Sequence, residues 1–571
     1  MNKKDLDFPF LSQEKINYSK LRILFPYIKE HIRTFIIASL FLLITSLIAT
    51  PIPYISKIIF DNVFLGNKDI RFFGYLVVIS AILHIGRTIF SGISSYYFAK
   101  VSQEVLSSLK SDLFRKILKL PFRFYDEAQT GYILARIGEV EGLGLFFSST
   151  VINQMIRFFE FVFALLMLMY LNLKLTFYAI SILPAYYVVI RAFSLGLVSA
   201  TKDVLEGSAN IMGKIQEKVS GVEVVRLFGT EEREAEEVKK EFKGLARKNL
   251  LQSIFFTIFG ELNFVIIALG GLLILWVGGM DIIKGSFTIG SYLAFVGYLQ
   301  KLYGPIQSMA TFSLSLYPAF VSLQRVSEIL EAEKEKEGNI ELKNLIGDIQ
   351  FKNISFSYDG EKKVLEGIDL HIKPGEKVVI LGPNGSGKST LIKLLLGMYD
   401  PLEGEIVIDG IDIKDIKLSS LREKIGIVSQ NVFLFNDTVR NNVAYAIPQV
   451  KDEEIINLLK TAELYDIFME GFKDGLNTII GERGAKISGG QKKIIAFLRA
   501  VLKKPHVLIL DEATSEVDMT VERKIYEYIE KFMRDKTCII ISHREIPWEI
   551  IDKVVYLEKG RIIKVELINK N

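Results

Sequence analysis

Residues Gly382 to Ser389 have the types and the spacing of a phosphate-binding loop. They read Gly-Pro-Asn-Gly-Ser-Gly-Lys-Ser between the apolar runs KVVIL and TLIKLLLGMY, so they join a predicted strand to a predicted helix. In such a loop the backbone N–H groups and the helix N-terminus surround phosphate oxygens, Lys388 neutralises them, and the Ser389 hydroxyl ligates magnesium. The predicted nucleotide-binding residues are Gly382, Pro383, Asn384, Gly385, Ser386, Gly387, Lys388, Ser389 and Thr390.

Two adjacent carboxylates, Asp511 and Glu512, follow the strand-like run Val507 to Leu510. Open α/β sheets bind ligands outside the carboxyl ends of their strands, so side chains at that edge reach the ligand. We expect Asp511 to join the magnesium shell and Glu512 to act as the base that polarises water. Acidic residues at a strand end are also common turn formers. The phosphate-binding loop upstream favours the functional interpretation.

The segment Ile487 to Gln491 reads Ile-Ser-Gly-Gly-Gln, and its Ser488 stands 23 residues before Asp511. It resembles the LSGGQ signature of the ATP-binding cassette family. Other residues stand in the order of that family's motifs: Tyr358 in FSYDG, Gln430 in VSQ, Asp518 in SEVD, and His543.

The resemblance implies that ATP is the nucleotide, with Mg²⁺ as its cofactor. It also implies that Tyr358 stacks on adenine, and that Gln430 and His543 act in catalysis with Glu512, Gln430 also reaching the metal. The signature residues implied to contact nucleotide, together with Asp518, are Ser488, Gly489, Gly490 and Gln491. Taken singly, Tyr358 is an ordinary strand aromatic, Gln430 a solvated loop amide and His543 a core histidine.

The elements that must position these residues lie in the second half of the chain. A charged, sparsely apolar run at 331–344 marks a linker. After it, short strand-like runs such as IQFKNISFSY and VLEGIDLHI precede the loop, which predicts an α/β phosphate-loop ATPase domain over 345–571.

Residues 1–330 are predicted to form an all-α membrane domain of six helices. The six apolar stretches are each about as long as the roughly 20 residues that span a bilayer. They cover about 35–55, 72–98, 146–173, 175–200, 250–277 and 287–312. Lys and Arg crowd the first 34 residues and the segment 100–123, which predicts a cytoplasmic N-terminus. An even number of spans then makes this a multi-pass protein of the cell membrane with both termini and the ATPase domain in the cytoplasm.

Composition agrees with a membrane part joined to a soluble part. Half of the 571 residues are hydrophobic, yet 24% are charged, which is too many for a wholly embedded protein. The 70 Lys and Arg against 66 Asp and Glu leave a net charge of only +4, so nucleic acid is not an expected partner. The single cysteine, Cys538, excludes an intrachain disulfide framework.

The first half resembles the six-span exporters of the same family. FYDEAQTGYILARI at 124–137 and EKVSGVEVVRLFGTEERE at 217–234 look like that family's cytoplasmic loop segments. The polar connections 99–145 and 201–249 have helical apolar periodicity, and we expect them to extend the spans as helices. The resemblance implies that they dock on the ATPase domain as couplers rather than serving as solvated spacers.

The family's ATP sites are composite, with the loop of one cassette facing the signature of another. A second half-transporter is therefore an expected partner. Glu512, the signature and His543 are all present, which favours a homodimer, while a heterodimer stays open. Some segments depart from the family pattern: Lys492-Lys493-Ile494-Ile495 after the signature, SEVD at 515–518, and Glu545 and Trp548 beyond His543.

Ionisable residues lie inside four of the predicted spans. Arg87, Arg157, Arg191 and Glu261 fall about 15 residues from the predicted outer ends, or roughly 24 Å deep in a core about 30 Å thick. Glu160 stands one helical turn from Arg157, and His84 one turn from Arg87. They either line a cavity for an amphipathic substrate with an anionic or zwitterionic group, or pair between helices.

Two functions fit these patterns. The first is ATP-driven export by alternating access, of multidrug, lipid or peptide type, by a protein surrounded by membrane lipids. The alternative is an ATP-gated channel or regulator that uses the cassette as a switch. A retained Glu512 favours the exporter, because a switch driven by binding alone needs no base. The sequence does not identify the substrate.

Overall fold

The computed structural model describes residues 18–128, 130–513, 517–542 and 546–568. The chain divides into two compact units. The membrane unit comprises the residues up to Leu118 and Thr130–Ala332, and the nucleotide unit comprises Lys119–Gln129 and the residues from Glu333 onward. The first is helical and the second is α/β, which confirms the predicted fold class.

The helices of the first 332 residues are, in chain order, α1 (Phe25–Glu30), α2 (Ile32–Ala49), α3 (Ile52–Ile58), α4 (Ile70–Ile117), α5 (Phe122–Glu127), α6 (Thr130–Glu139), α7 (Ser149–Leu171), α8 (Leu173–Ser181), α9 (Leu183–Ser220), α10 (Val222–Leu227), α11 (Glu231–Ile283) and α12 (Ile289–Glu331). Helices α4, α9 and α11 continue well beyond the apolar stretches. The connections 99–145 and 201–249 are thus largely helical, as their periodicity predicts.

Several of these helices are long and apolar enough to cross a membrane. Within the described part of the chain, five stretches meet that criterion: Ile32–Asn67, Ile70–Ile117, Gly131–Leu171, Leu173–Phe193 and Glu231–Ile283. The sixth predicted span, at about 287–312, falls in α12.

The first membrane helix is broken where the sequence places two prolines. Because Pro51 and Pro53 lack an N–H, α2 ends at Ala49 and α3 begins at Ile52. Two side chains of α12 bind the carbonyls left at this break: the Lys301 ammonium donates to the Ala49 carbonyl at 2.7 Å, and the Tyr298 hydroxyl to the Thr50 carbonyl at 3.0 Å.

The nucleotide unit contains two sheets with short helices between the strands. The strands are β1 (Ile349–Phe356), β2 (Leu365–Ile372), β3 (Lys377–Leu381), β4 (Glu403–Ile408), β5 (Ile411–Asp412), β6 (Ile425–Val428), β7 (Val507–Asp511), β8 (Thr537–Ile541), β9 (Lys553–Glu558) and β10 (Arg561–Leu567). The helices are α13 (Lys388–Leu395), α14 (Leu418–Lys424), α15 (Val439–Val443), α16 (Asp452–Thr461), α17 (Tyr465–Met469), α18 (Gly489–Leu502) and α19 (Met519–Phe532).

The larger sheet places the two predicted chemical motifs at one edge. Its order is β10-β9-β3-β8-β7-β6, and β3, β8, β7 and β6 run parallel. Alternate residues of β3 enter two separate apolar cores, Val379 on one face and Val378 and Ile380 on the other. Parallel strands buried on both faces read as continuous apolar runs, which explains KVVIL and VLIL. The carboxyl ends of β3 and β7 carry the phosphate-binding loop and Asp511.

The smaller sheet packs β2-β1-β4-β5 antiparallel. Residues of the predicted linker run beside it. Leu342 and Leu345 are buried in the same apolar core as β1, and the Glu335 carboxylate pairs with Arg422 at 2.7 Å. The segment after Ala332 is therefore part of the nucleotide unit's packing.

Candidate functional site

The phosphate-binding loop joins β3 to α13 through backbone conformations that only glycine adopts without strain. Gly387, the residue before α13, has φ +105°, and an added Cβ would lie 2.6 Å from Leu365. A Cβ on Gly382 would lie 2.0 Å from the Leu557 carbonyl oxygen. The glycine pattern of the motif is therefore required by the packing of the loop as well as by its turn.

Lys388 is buried at the first residue of α13. Its ammonium donates to the carbonyls of Gly382 and Pro383, at 2.8 and 3.0 Å. Burial lowers the pKa of the Lys388 ammonium, and the carboxylates of Glu512 and Asp511 oppose that shift. The charge is thus held over the loop, where it can transfer to phosphate oxygens.

Asp511 ends β7 with a buried carboxylate. Its Oδ1 accepts no hydrogen bond from any residue that the structure describes. Burial raises the pKa of the Asp511 carboxyl, while the Ser389 hydroxyl beside it favours the charged form. A buried oxygen without a donor, next to a hydroxyl, is the kind of donor set that magnesium takes along with water and phosphate oxygens. Ser389 and Asp511 therefore fit the metal.

Glu512 follows with a carboxylate that is partly open. The Gln430 side-chain amide donates to its Oε2 at 2.9 Å, so the residue from the loop after β6 and the predicted base are in direct contact. The Glu512 backbone has φ +51°, the left-handed region that residues other than glycine rarely adopt. Such strain is typical of residues held in place for function.

Tyr358 lies in a loop that a single carboxylate fixes. The Asp359 carboxylate accepts from the Ser357 hydroxyl and from the backbone N–H groups of Glu361 and Lys362, at 2.8 to 3.0 Å. The backbone donors lower the pKa of Asp359 to about 2. The Tyr358 hydroxyl hydrogen-bonds Thr390 at 3.1 Å, and its ring stays 37% exposed, available for stacking.

The signature residues form the beginning of α18. Ser488 is the N-cap: its hydroxyl accepts from the Gln491 N–H at 3.2 Å, and the Gln491 side chain accepts from the Ser488 N–H at 3.0 Å. This reciprocal capping box explains locally why Ser and Gln stand three residues apart. Gly489 and Gly490 are the first residues of the helix.

Two predicted residues stand apart from this cluster in the description. Asp518 is exposed and is the N-cap of α19, without a side-chain hydrogen bond to that helix. His543 lies outside the described residues, as do Ser515, Glu516 and Glu545.

Sequence reasoning missed functional contacts made by three residues. Asp359 fixes the loop of Tyr358, and the Asp-Gly turn pattern in FSYDG is the signal that would have found it. Tyr399 packs edge-on against Tyr358, at 5.2 Å between ring centroids, and also contacts Phe122 and the Asp126 carboxylate of α5. Lys493, which the sequence showed only as a departure from a family pattern, is buried beside Glu512.

The charges inside the predicted spans are mostly exposed in the single chain. Arg87, Arg157, Arg191 and Glu261 are exposed and Glu160 is half-buried. Glu160 accepts from the Ser46 hydroxyl at 3.0 Å, and within the described structure no ion pair shorter than 4.0 Å joins it to Arg157. The i, i+3 spacing permits that pair without requiring it.

Comparisons with known proteins cover both units. A family model described as ABC transporter matches residues 365–515, and one described as ABC transporter transmembrane region matches residues 35–306. A putative multidrug export ATP-binding/permease protein of Bacillus subtilis is 31% identical over 553 residues, covering 94% of each chain. An ATP-dependent lipid A-core flippase of Desulfotalea psychrophila is 32% identical over 522 residues, covering 90% of each.

A solved structure is similar over nearly the whole chain. It is that of a bacterial Atm1-family ABC exporter with ATP bound, with a TM-score of 0.84 and 25% identity, covering 94% of this chain and 96% of the other.

Proposed function

The chain belongs to the ABC transporter family, and on that premise we propose that it exports an amphipathic substrate across the cytoplasmic membrane as one half of a homodimer. ATP-driven export by a half-transporter is the function of this architecture, in which a membrane domain and a nucleotide-binding ATPase domain share one chain. The observation that carries the proposal is the contact at 2.9 Å between Gln430 and Glu512 at the sheet edge that also holds the phosphate-binding loop.

The residues act together on the terminal phosphate of ATP. Tyr358 stacks on the adenine, and the loop N–H groups and Lys388 bind the phosphates. Glu512 orients the attacking water and accepts its proton, while Gln430 fixes the carboxylate. Ser389 and Asp511 would hold Mg²⁺, with Gln430 from the adjacent loop, and the metal would neutralise charge on the β- and γ-phosphate oxygens. We assign His543 and Asp518 supporting roles at the same site.

The dimer follows from what one chain supplies. Each chain has one phosphate-binding loop and one signature, so two complete sites require two copies. The short helix α10 also exposes apolar side chains in the membrane unit, with Val222 50%, Val224 59% and Leu227 75% exposed. An apolar helix of this kind favours a protein partner. We infer that a second copy of this chain covers it.

The substrate class rests on the intramembrane charges. Charged side chains at this depth usually face a bundle interior or a water-filled cavity, because lipid exposure costs several kcal/mol. Three of the four exposed ones are arginines, which favour an anionic or zwitterionic group on the substrate. The names of the relatives, a lipid flippase and a multidrug exporter, agree with an amphipathic substrate, and we place the substrate in the lipid or drug class.

The proposed substrate site can be tested by ATPase measurements in lipid nanodiscs with panels of anionic lipids, cationic drugs and short peptides. We expect anionic or zwitterionic amphiphiles to stimulate turnover, and Arg157→Gln and Arg191→Gln to weaken that stimulation while keeping the basal rate and the dimer yield. Lys174→Gln is the matched control, since Lys174 pairs with Asp281 at 3.0 Å and is not among the belt residues. Unchanged stimulation in both arginine variants, with loss of assembly, would make these charges structural.

A further inference from the structure

Lys493 is a buried lysine inside the apolar run of α18. Only 3% of its surface is exposed, and it follows the signature by two residues. Its ammonium donates to three backbone carbonyls, those of Gln430 at 2.6 Å, Glu512 at 3.1 Å and Ser429 at 3.3 Å. Burying a charge is costly unless polar groups compensate it, so these carbonyls are the reason that a lysine is tolerated there.

The three carbonyls belong to the two segments that carry the catalytic contact. Ser429 and Gln430 follow β6, and Glu512 follows β7. The side chains of Gln430 and Glu512 are hydrogen-bonded to each other, and Lys493 joins their backbones. One side chain of the signature helix therefore fixes the spacing between the base and its partner.

The Glu512 backbone needs such support. Its left-handed φ of +51° is unfavourable for a residue with a Cβ, and it persists only where the surroundings hold it. The Glu512 N–H donates to the Ile541 carbonyl at 2.9 Å, and the Glu512 carbonyl accepts from Lys493. Lys493 thus holds the second end of the strained peptide. Its charge also favours the ionised form of Asp511 next to it.

We propose that Lys493 is a positioning residue for ATP hydrolysis, which holds Glu512 and the Gln430 loop at the distance that the attacking water requires. The inference rests on the proposed function of the site. Because α18 begins with the signature, Lys493 also transmits the docking of the signature on a second chain to the base. Lys493 itself touches neither water nor phosphate.

A purely structural role is the competing explanation, and the same helix offers a matched control. Lys503, at the other end of α18, donates to the carbonyls of Arg422 and Ile425 at 2.7 and 2.8 Å. Neither carbonyl belongs to a residue of the ATP site. Lys503→Met therefore removes a comparable set of hydrogen bonds without disturbing Glu512.

The experiment compares full-length wild type, Lys493→Met, Lys493→Gln and Lys503→Met in nanodiscs. We expect Lys493→Met to lower kcat about 10- to 100-fold while KM for ATP changes less than about threefold, since misplacing a catalytic group by about 1 Å costs that much in rate. Lys493→Gln keeps an amide donor and should recover part of kcat. Lys503→Met should keep kcat within about twofold of wild type even if its melting temperature falls.

A double variant separates positioning from a general loss. In a Glu512→Gln background the base is already gone, so Lys493→Met should lower the residual single-turnover rate by less than about twofold. A kcat near the wild-type value in both Lys493 variants would overturn the proposal, as would a full additional loss in the double variant. If Lys493→Met does not fold, Lys493→Gln alone decides by the same criteria. A wild-type protein without ATPase activity would refute the proposed function instead.

Discussion

Glu512 is held by contacts from three parts of the chain: the Gln430 amide, the Lys493 ammonium and the Ile541 carbonyl. At this scale the sequence predicted the residue types well. The phosphate-binding loop and the Asp-Glu pair are recognisable because their chemistry fixes both identity and local spacing. Lys493 could not be assigned in the same way, since its partners are backbone carbonyls, which carry no sequence signal, from segments 63 and 19 residues away.

Glu512→Gln should abolish turnover and keep ATP binding. The amide preserves the shape of the side chain but cannot accept a proton, and losing a general base lowers the rate about 10²- to 10⁴-fold. Steady-state ATPase and equilibrium binding of a fluorescent ATP analogue measure the two effects separately. Turnover close to that of the wild type would remove Glu512 from the mechanism.

At the scale of elements, the apolar stretches predicted where helices cross but not where they break or end. Helix α4 runs to Ile117 because its polar extension is also helical, and hydropathy detects only the apolar part. The segment Lys119–Gln129 joins the nucleotide unit, where Phe124 is buried and Glu335 donates its N–H to the Lys119 carbonyl at 2.8 Å. That packing depends on residues more than 200 positions apart, which no local pattern reveals.

The proline break of the first membrane helix gives an element-scale prediction. Lys301→Met removes the donor to the Ala49 carbonyl, and an unsatisfied buried carbonyl costs about 1 to 3 kcal/mol, so the melting temperature should fall. Pro53→Ala restores an N–H four residues after Ala49 and should recover part of that loss in the double variant.

Lys174→Met serves as the control for this series, because its ion pair with Asp281 is 56% exposed on the lysine side and such pairs contribute about 1 kcal/mol or less. Equal melting temperatures for Lys301→Met and wild type would show that the ammonium does not support the break.

At the scale of the whole molecule, a composite site predicts how defective chains complement each other. Ser488→Arg places a bulky cation where the partner's γ-phosphate must lie, and Lys388→Ala removes the phosphate ligand. Each homodimer should be inactive. In a mixed dimer one site carries both lesions and the other is intact, so mixing should restore activity, measured as ATPase after co-expression and tandem purification. Mixtures no more active than either parent would argue against composite sites.

The whole-molecule architecture was predictable because composition changes sharply along the chain, with long apolar stretches before about residue 330 and short strands with glycine turns after it. The family resemblance of SGGQ at 488–491 and of the cytoplasmic segments then extended that division to ATP-driven export. The substrate was not predictable, since its contacts are a few charges on separate helices whose partners depend on packing.

The central claim is that hydrolysis through Glu512 drives transport. It is tested most directly in proteoliposomes, by measuring ATP-dependent movement of the amphiphile that stimulates turnover most strongly. The wild type should move many molecules per dimer, whereas Glu512→Gln, which still binds ATP, should move none beyond a single event per dimer. Sustained movement by Glu512→Gln at the wild-type rate would contradict the exporter and identify an ATP-gated channel.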